Sequence, residues 1–352
     1  MKFSLGKSVQ IGATFVGAVV GAGFASGQEI IQFFLVFGSS ATYGMVISGI
    51  LFALFGMAVL FLVERFDAQS YQDLVNGLFG HTLGRMMDYW IILFLLAGLC
   101  IMLAGSATVF SEHLKLPGSL GLAVTSACVI LAVFGEGRGV MWINSLLIPF
   151  LAVVTVLVGF TSLMYGETVI TTEFSTGISA GSLVGKNWAV AALLYVSYNM
   201  VIGAVILASL GKQQVGGNVL GGAFGGICLG VMSLVMGVAM LRFSNYIFFY
   251  EIPMLYLAGR LHPIFKYFYT LVLWSAMLTT AVANAYGLTR RLGSLLPISD
   301  KWIGVVLVLL VLPFTRLGFA PMVSKIYPIF GYAGLPLLAA IIFRTFSFAV
   351  RR

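Results

Sequence analysis

Apolar residues in this chain come in long runs separated by short polar segments. Runs of spanning length fall at about 8–37, 41–63, 87–111, 119–135, 139–165, 187–210, 214–240, 264–289, 302–315 and 322–343. A helix that crosses a bilayer needs about 20 mainly apolar residues, so the pattern predicts ten transmembrane helices. The third and eighth runs look longest and predict tilted spans. The polar linker 64–86 carries Tyr71, Leu74, Val75, Leu78 and Phe79 at helical spacing. That spacing predicts a short amphipathic helix in the membrane interface. The stretch 251–261, with Ile252, Leu255 and Leu261, predicts a similar element on the opposite face. Between them, 166–186 is the longest loop without an apolar stripe.

Composition narrows the class. Of 352 residues, 60% are hydrophobic and 9% charged, against about 25% charged in soluble domains. There is too little polar surface to cover a water-exposed globule. A soluble enzyme, a nucleic-acid binder and a secreted disulfide domain are all excluded. Cys100, Cys128 and Cys228 lie inside apolar runs, as reduced packing residues do. The net charge of +8 does not signal nucleic acid, because the basic residues sit between the apolar runs. There they control topology. Lys2 and Lys7 before an apolar run imitate a signal peptide, but the segment reads as the first transmembrane helix. With ten spans both termini share one side. That side collects Lys2, Lys7, Arg65, Arg85, Arg138, Lys212, Arg290, Arg291, Lys301, Arg344, Arg351 and Arg352. The other holds Lys115, Lys186, Arg242, Arg260, Lys266, Arg316 and Lys325. The basic excess predicts cytoplasmic termini in a bacterial cytoplasmic membrane.

The first run contains Gly21-Ala22-Gly23-Phe24-Ala25-Ser26-Gly27-Gln28-Glu29. Glycine costs a helix interior about 1 kcal/mol relative to alanine, and Gly17, Gly21, Gly23 and Gly27 crowd this span. Gly17 and Gly21 at GxxxG spacing suit close helix packing, but Gly23 and Gly27 are left over. Ser26 followed by Glu29 matches a capping box, which belongs at a helix start. A helix that stops near Gly21 and restarts at Ser26 is predicted. Broken spans occur in lipid where the freed backbone lines a cavity, and transporters place them at matching positions of two inverted halves. Half of 352 added to residue 24 points to residue 200, where the sixth run holds Ser197-Tyr198-Asn199-Met200. The reading is one all-α transmembrane domain, 1–352. Its two inverted repeats of five spans run over about 8–165 and 187–343, and the first and sixth helices are discontinuous.

Gly17–Ile30 resembles the first helix of the YkvI-like amino-acid permeases, and Ile326–Pro336 resembles their last span. More broadly the chain is similar, over essentially its full length, to the amino acid–polyamine–organocation superfamily with the LeuT fold. That resemblance implies a sodium site between helices 1 and 8. Its ligands would be carbonyls of Gly17 and Val20, a carbonyl at Ala276 and hydroxyls of Thr279 and Thr280. Hard cations take oxygen ligands of this kind. Against it stands the possibility that the two threonines only bond back to their own helix. Proton-coupled relatives carry a lysine in helix 5, and 139–165 has none.

The two breaks define the expected substrate site. The helix restarting at Ser26 offers N–H groups to a carboxylate, and carbonyls ending near Ser197 suit an ammonium. Contacts are expected from Gly21, Ala22, Gly23, Phe24, Ala25, Ser26, Gly27, Ser197, Tyr198 and Asn199, with Phe24 and Tyr198 closing over the guest. Glu29 is the acidic residue set well inside an apolar run, which marks it as functional, capping, or both. The expected activity is sodium-coupled symport of an amino acid or similar small zwitterion or amine. No cofactor beyond Na+ and no catalytic residue is expected; the partners are the small molecule and the bilayer. A proton-coupled or uncoupled permease using Glu29, and a sensor that keeps the fold without transport, are the alternatives. An intramembrane hydrolase lacks a base near Ser26, since His81, His113 and His262 lie in loops or at span edges. A channel would show a repeated filter segment or rings of charge, and neither is visible.

Overall fold

The computed structural model describes residues 4–135, 138–165, 183–293 and 299–350. Among them every regular element is helical. The first run holds α1 (Leu5–Val19), α2 (Ala22–Ser26) and α3 (Gln28–Phe33), then a 3-10 turn. There follow α4 (Ala41–Arg65), α5 (Tyr71–Thr108), α6 (Gly118–Phe134) and α7 (Arg138–Tyr165). After residue 183 come α8 (Trp188–Ser209), α9 (Gly211–Val215), α10 (Leu220–Arg242), α11 (Ser244–Ile247) and α12 (Pro253–Leu261). The chain ends with α13 (Pro263–Gly293), α14 (Asp300–Val311) and α15 (Phe319–Val350). Each of the ten apolar runs is thus helical. Among the described residues, six helical segments, within the 3-10 turn plus α4, α5, α8, α10, α13 and α15, are long and apolar enough by themselves to cross a membrane. Large apolar side chains such as Leu131, Phe160, Ile227, Leu271 and Phe343 stay exposed, as a lipid-facing surface requires.

Both amphipathic elements are present. Tyr71, Leu74, Val75 and Leu78 are buried on one face of the start of α5. At Gly80 (φ +76°, ψ 172°) the helix kinks and turns into its apolar length. The second element is α12, with Met254, Leu255, Leu257 and Ala258 buried. Most of the long loop, 166–182, falls outside the described residues.

The first run breaks twice. α1 ends at Val19, Gly21 is extended (φ −102°, ψ −173°), and α2 follows for five residues. Gly27 then sits in the left-handed region at φ +83°, closing α2 and opening α3. Glycine alone enters that region without steric cost. The restart after the main break is therefore at Gly21–Ala22, five residues before the expected Ser26.

The expected break in the sixth run is absent. α8 is continuous from Trp188 to Ser209, opened by Asn187, whose side chain accepts from Ala189 N at 2.8 Å. The polar triplet finds partners without freeing backbone. Asn199 Nδ2 donates to the Tyr195 carbonyl one turn back (3.0 Å), and Ser197 Oγ donates to the Gly331 carbonyl on α15 (2.7 Å). Polar side chains do not break a helix when their hydrogen bonds can be made from within it.

Two groups of helices flank the broken run. α4 packs along α10, and α1 lies against α10 and α8. The α4–α10 crossing is backbone on backbone: a Cβ on Gly226 would collide with Ala53, and one on Gly222 with Gly56. On the other side α13 packs on α5, α7, α6 and α14.

Candidate functional site

Between these groups, at the first break, lies a cavity of about 650 Å³. One wall is α1 (Gln10, Ala13, Thr14, Gly17, Ala18, Val19) continued by Gly21, Ala22 and Gly23. Opposite stand Phe94, Gly98 and Met102 of α5 with Thr280, Ala283 and Asn284 of α13. Pro149 of α7, Asn199, Ile202 and Ile206 of α8, and Tyr327 and Phe330 of α15 complete it with Tyr198 and Glu29. Gln10 and Ala13 are exposed, whereas Ala22, Gly23 and Glu29 are buried. The cavity therefore opens toward the N-terminal end of α1 and ends at the break.

The closed end carries the polar chemistry. Because α1 stops at Val19, the carbonyls of Gly17 and Ala18 have no helical N–H ahead of them. Glu29, 4% exposed, faces this end, and Tyr198 Oη donates to its Oε2. Its other oxygen lies on Gly23: a Cβ there would overlap Oε1 and come within 3.0 Å of the Tyr327 hydroxyl. The Tyr198 and Tyr327 rings lie 4.9 Å apart, and Phe33 stacks on Tyr198 at 5.5 Å. Asn199 commits its nitrogen to Tyr195, which leaves its amide oxygen for the cavity. No Lys, Arg or His is among the lining residues. The ensemble can hold a cationic group and an apolar body.

The residues expected at a substrate site divide. Gly21, Ala22, Gly23, Tyr198 and Asn199 line the cavity. Phe24, Ala25, Ser26 and Gly27 are buried outside its lining. Ser197 faces α15 rather than the cavity, because its hydroxyl is used on Gly331. Ser26 Oγ donates to the Gly23 carbonyl (2.6 Å) and accepts from Gln28 N (3.2 Å), so it caps the second break locally. Glu29 does not close a capping box; its carboxylate leaves for Tyr198.

Of the expected sodium ligands, Gly17 and Thr280 line the cavity from opposite walls. Thr279 is buried, and its hydroxyl donates to the Ala276 carbonyl at 3.1 Å. Val20 is the residue after α1, buried, with its N–H donating to Val16. Sequence reasoning missed Tyr327, Phe330 and Asn284. Tyr327 and Phe330 sit in an apolar span whose periodicity has no preferred face. Asn284, four residues after Thr280, was a polar residue in a span and was legible as such.

No protein-family profile matches the chain. It is 29% identical over 353 residues to the uncharacterized membrane protein YkvI of Bacillus subtilis (strain 168), covering 97% of each chain. The protein YyaD of the same organism, also uncharacterized, is 28% identical over 332 residues, covering 93% of this chain and 94% of its own. Among solved structures, a manganese transporter of Eremococcus coleocola has a TM-score of 0.57 at 16% identity, over 95% of this chain and 78% of its own. Mhp1, a nucleobase-cation-symport-1 family transporter crystallised closed around bromovinylhydantoin, has a TM-score of 0.53 at 15% identity, over 92% and 74%. The chain is a membrane protein, helical in every regular element among the described residues, with the fold of these transporters.

Proposed function

We propose that the protein is a secondary transporter working by alternating access, which moves a small amino acid or a related zwitterion or amine together with sodium. The observation that carries this reading is the cavity itself. It is open at one end and closed at a helix break, and a buried carboxylate stands at the closed end. Its volume falls within the roughly 300–1,000 Å³ usual for small-molecule pockets. The guest's ammonium sits on Glu29 beside Tyr198 and Tyr327, and its apolar part lies against Phe94 and Phe330.

The architecture proposed is ten spans in two inverted sets of five, a LeuT-type arrangement in the amino acid–polyamine–organocation superfamily. Helices five runs apart pack on each other in four cases: α1 with α8, α4 with α10, α5 with α13 and α6 with α14. That pairing is what two repeats related by an axis in the membrane plane produce. With the termini in the cytoplasm, the cavity faces inward. Sodium is assigned to the gap between the end of α1 and α13, where oxygens of Gly17, Val20, Ala276, Thr279 and Thr280 supply uncharged hard ligands. A hydroxyl that donates to a carbonyl can still accept or ligate through its oxygen, so the Thr279–Ala276 bond is compatible with this role. Glu29 in the cavity favours a second reading, in which it carries a proton and sodium is dispensable.

Uptake of radiolabelled amino acids and small amines into proteoliposomes tests both. The expected result is accumulation driven by an inward sodium gradient. Thr280→Ala should raise the sodium concentration for half-maximal uptake, and Thr279→Ala combined with it should be rescued by sodium far less. Equal uptake with potassium in place of sodium rejects the sodium assignment. Uptake that follows an imposed pH gradient and vanishes in Glu29→Gln transfers the coupling to protons. A ligand that raises thermal stability without ever being accumulated makes the protein a sensor.

A further inference from the structure

The two sides of Gly27 are fastened to different groups of helices. On the α3 side, Glu29 accepts from Tyr198 of α8. On the α2 side, the Ala25 carbonyl accepts from the hydroxyl of Tyr269 on α13 at 2.6 Å. The same hydroxyl lies 2.8 Å from Thr155 Oγ1 on α7. Tyr269 has one hydrogen and spends it on Ala25, so Thr155 is the donor in the second bond. Ala25, Tyr269 and Thr155 are all fully buried. Ala25 is the second-last residue of α2, so the turn at Gly27 takes its carbonyl out of a continuing helix and makes it available to a side chain. Between the fasteners stands the left-handed residue of the run, a glycine, which can change direction at little steric cost.

We propose that Tyr269 is a positioning residue that bolts α2 across the closed end of the cavity, and that this bond is released when the cavity opens to the face away from the termini. The inference rests on the transporter reading. Ala22 and Gly23 of α2 form the closed end, so α2 must shift for that end to open. Moving α2 about Gly27 leaves the Glu29–Tyr198 contact in place and breaks the one to Tyr269. Thr155 holds the phenol in line, and α7 thereby shares control of the same bond.

The test uses full-length protein with Cys100, Cys128 and Cys228 replaced and a single reporter, Ala22→Cys, in right-side-out vesicles. A membrane-impermeant maleimide is added from the outer face, and separately from the inner face of inverted vesicles. Tyr269→Phe keeps the ring and removes the hydroxyl. Loss of one buried hydrogen bond should raise outer labelling about five-fold and lower inner labelling. Thr155→Val should move both rates the same way by a smaller factor, and serves if Tyr269→Phe fails to fold. Unchanged labelling from both faces overturns the proposal, and does so equally if thermal stability falls, since that is a fixed structural pin. The labelling needs no substrate. A protein that never accumulates solute but shows the shift would reject transport while keeping the bolt.

Discussion

Ser26-Gly27-Gln28-Glu29 and Ser70-Tyr71-Gln72-Asp73 share one pattern, a serine followed three residues later by a carboxylate, and they use it in opposite ways. At the start of α5, Ser70 is extended (φ −145°, ψ 165°) and its Oγ accepts from Asp73 N at 3.2 Å. Asp73 Oδ2 in turn accepts from Gln69 N (3.0 Å) and Ser70 Oγ (2.9 Å). All its bonds are local. In the first run Ser26 is itself the last residue of α2, so its backbone is already helical and the box cannot form. Glu29 instead crosses to a tyrosine on another helix. The difference is solvent. Asp73 is exposed and keeps its charge in water, where the Ser70 hydroxyl and the Gln69 amide are its nearest partners. Glu29 is buried, and an intramembrane carboxylate must find a polar partner or a cavity. A capping pattern in a membrane span therefore reports a place for a charge before it reports a helix start.

Thermal unfolding in detergent ranks the substitutions that break or sharpen this contrast. Gly27→Ala should be the most damaging, by about 2–4 kcal/mol, from left-handed strain plus crowding. Its Cβ would lie 3.0 Å from Met254 and 3.2 Å from Met240. Gly27→Asn should be less strained in backbone than Gly27→Ala, because asparagine tolerates this region. Ser26→Ala should cost about 1–3 kcal/mol, since it orphans the buried Gln28 N–H. Ser70→Ala should cost about 1 kcal/mol as an ordinary half-exposed cap. If Ser70→Ala proves the more harmful of the two serine changes, the contrast drawn from burial is wrong.

Asp73→Asn should be smallest, about 0.5 kcal/mol or less after screening by water, and it should depend on pH. The Gln69 amide first, and then the Ser70 hydroxyl, hold the Asp73 carboxyl below its ordinary 3.8. A folded value below the unfolded one means the unfolded chain binds more protons in between. Stability from this group is thus complete above the unfolded value and is lost as pH falls through the folded one. The gap between wild type and Asp73→Asn should close as the pH is taken below about 4, and a gap that persists there would assign the effect to packing.

The first run and α8 show where sequence reading stopped. Both have polar or small residues at mid-span, and in both that pattern predicts a break. Only the first does, because its irregularity is in the backbone: a glycine at φ +83° and another in extended conformation. In α8 the irregularity is in side chains. Asn199 bonds one turn back, and Ser197 reaches a glycine-lined groove on α15, where a Cβ on Gly334 would lie 2.6 Å from its Oγ. Glycine content was legible in the linear chain. The presence of α15 beside Ser197 was not.

What the sequence by itself determined is the set of apolar helices, the two amphipathic elements, an interruption of the first run near Gly21 and the one carboxylate set inside that run. These follow from local physics: the length needed to cross hydrocarbon, helical spacing, the cost of glycine and the rarity of intramembrane charge. Only the tertiary structure decided which residues meet. It turned Glu29 to Tyr198 instead of to Ser26, brought Tyr327 and Phe330 to the cavity from the last helix, and closed Tyr269 onto Ala25. In spans that are apolar all round, periodicity names no inward face. Short-range partners such as that of Asn199 lie one turn away, but the partners that join one helix to another, such as those of Glu29, Ser197 and Tyr269, are set by how the helices pack.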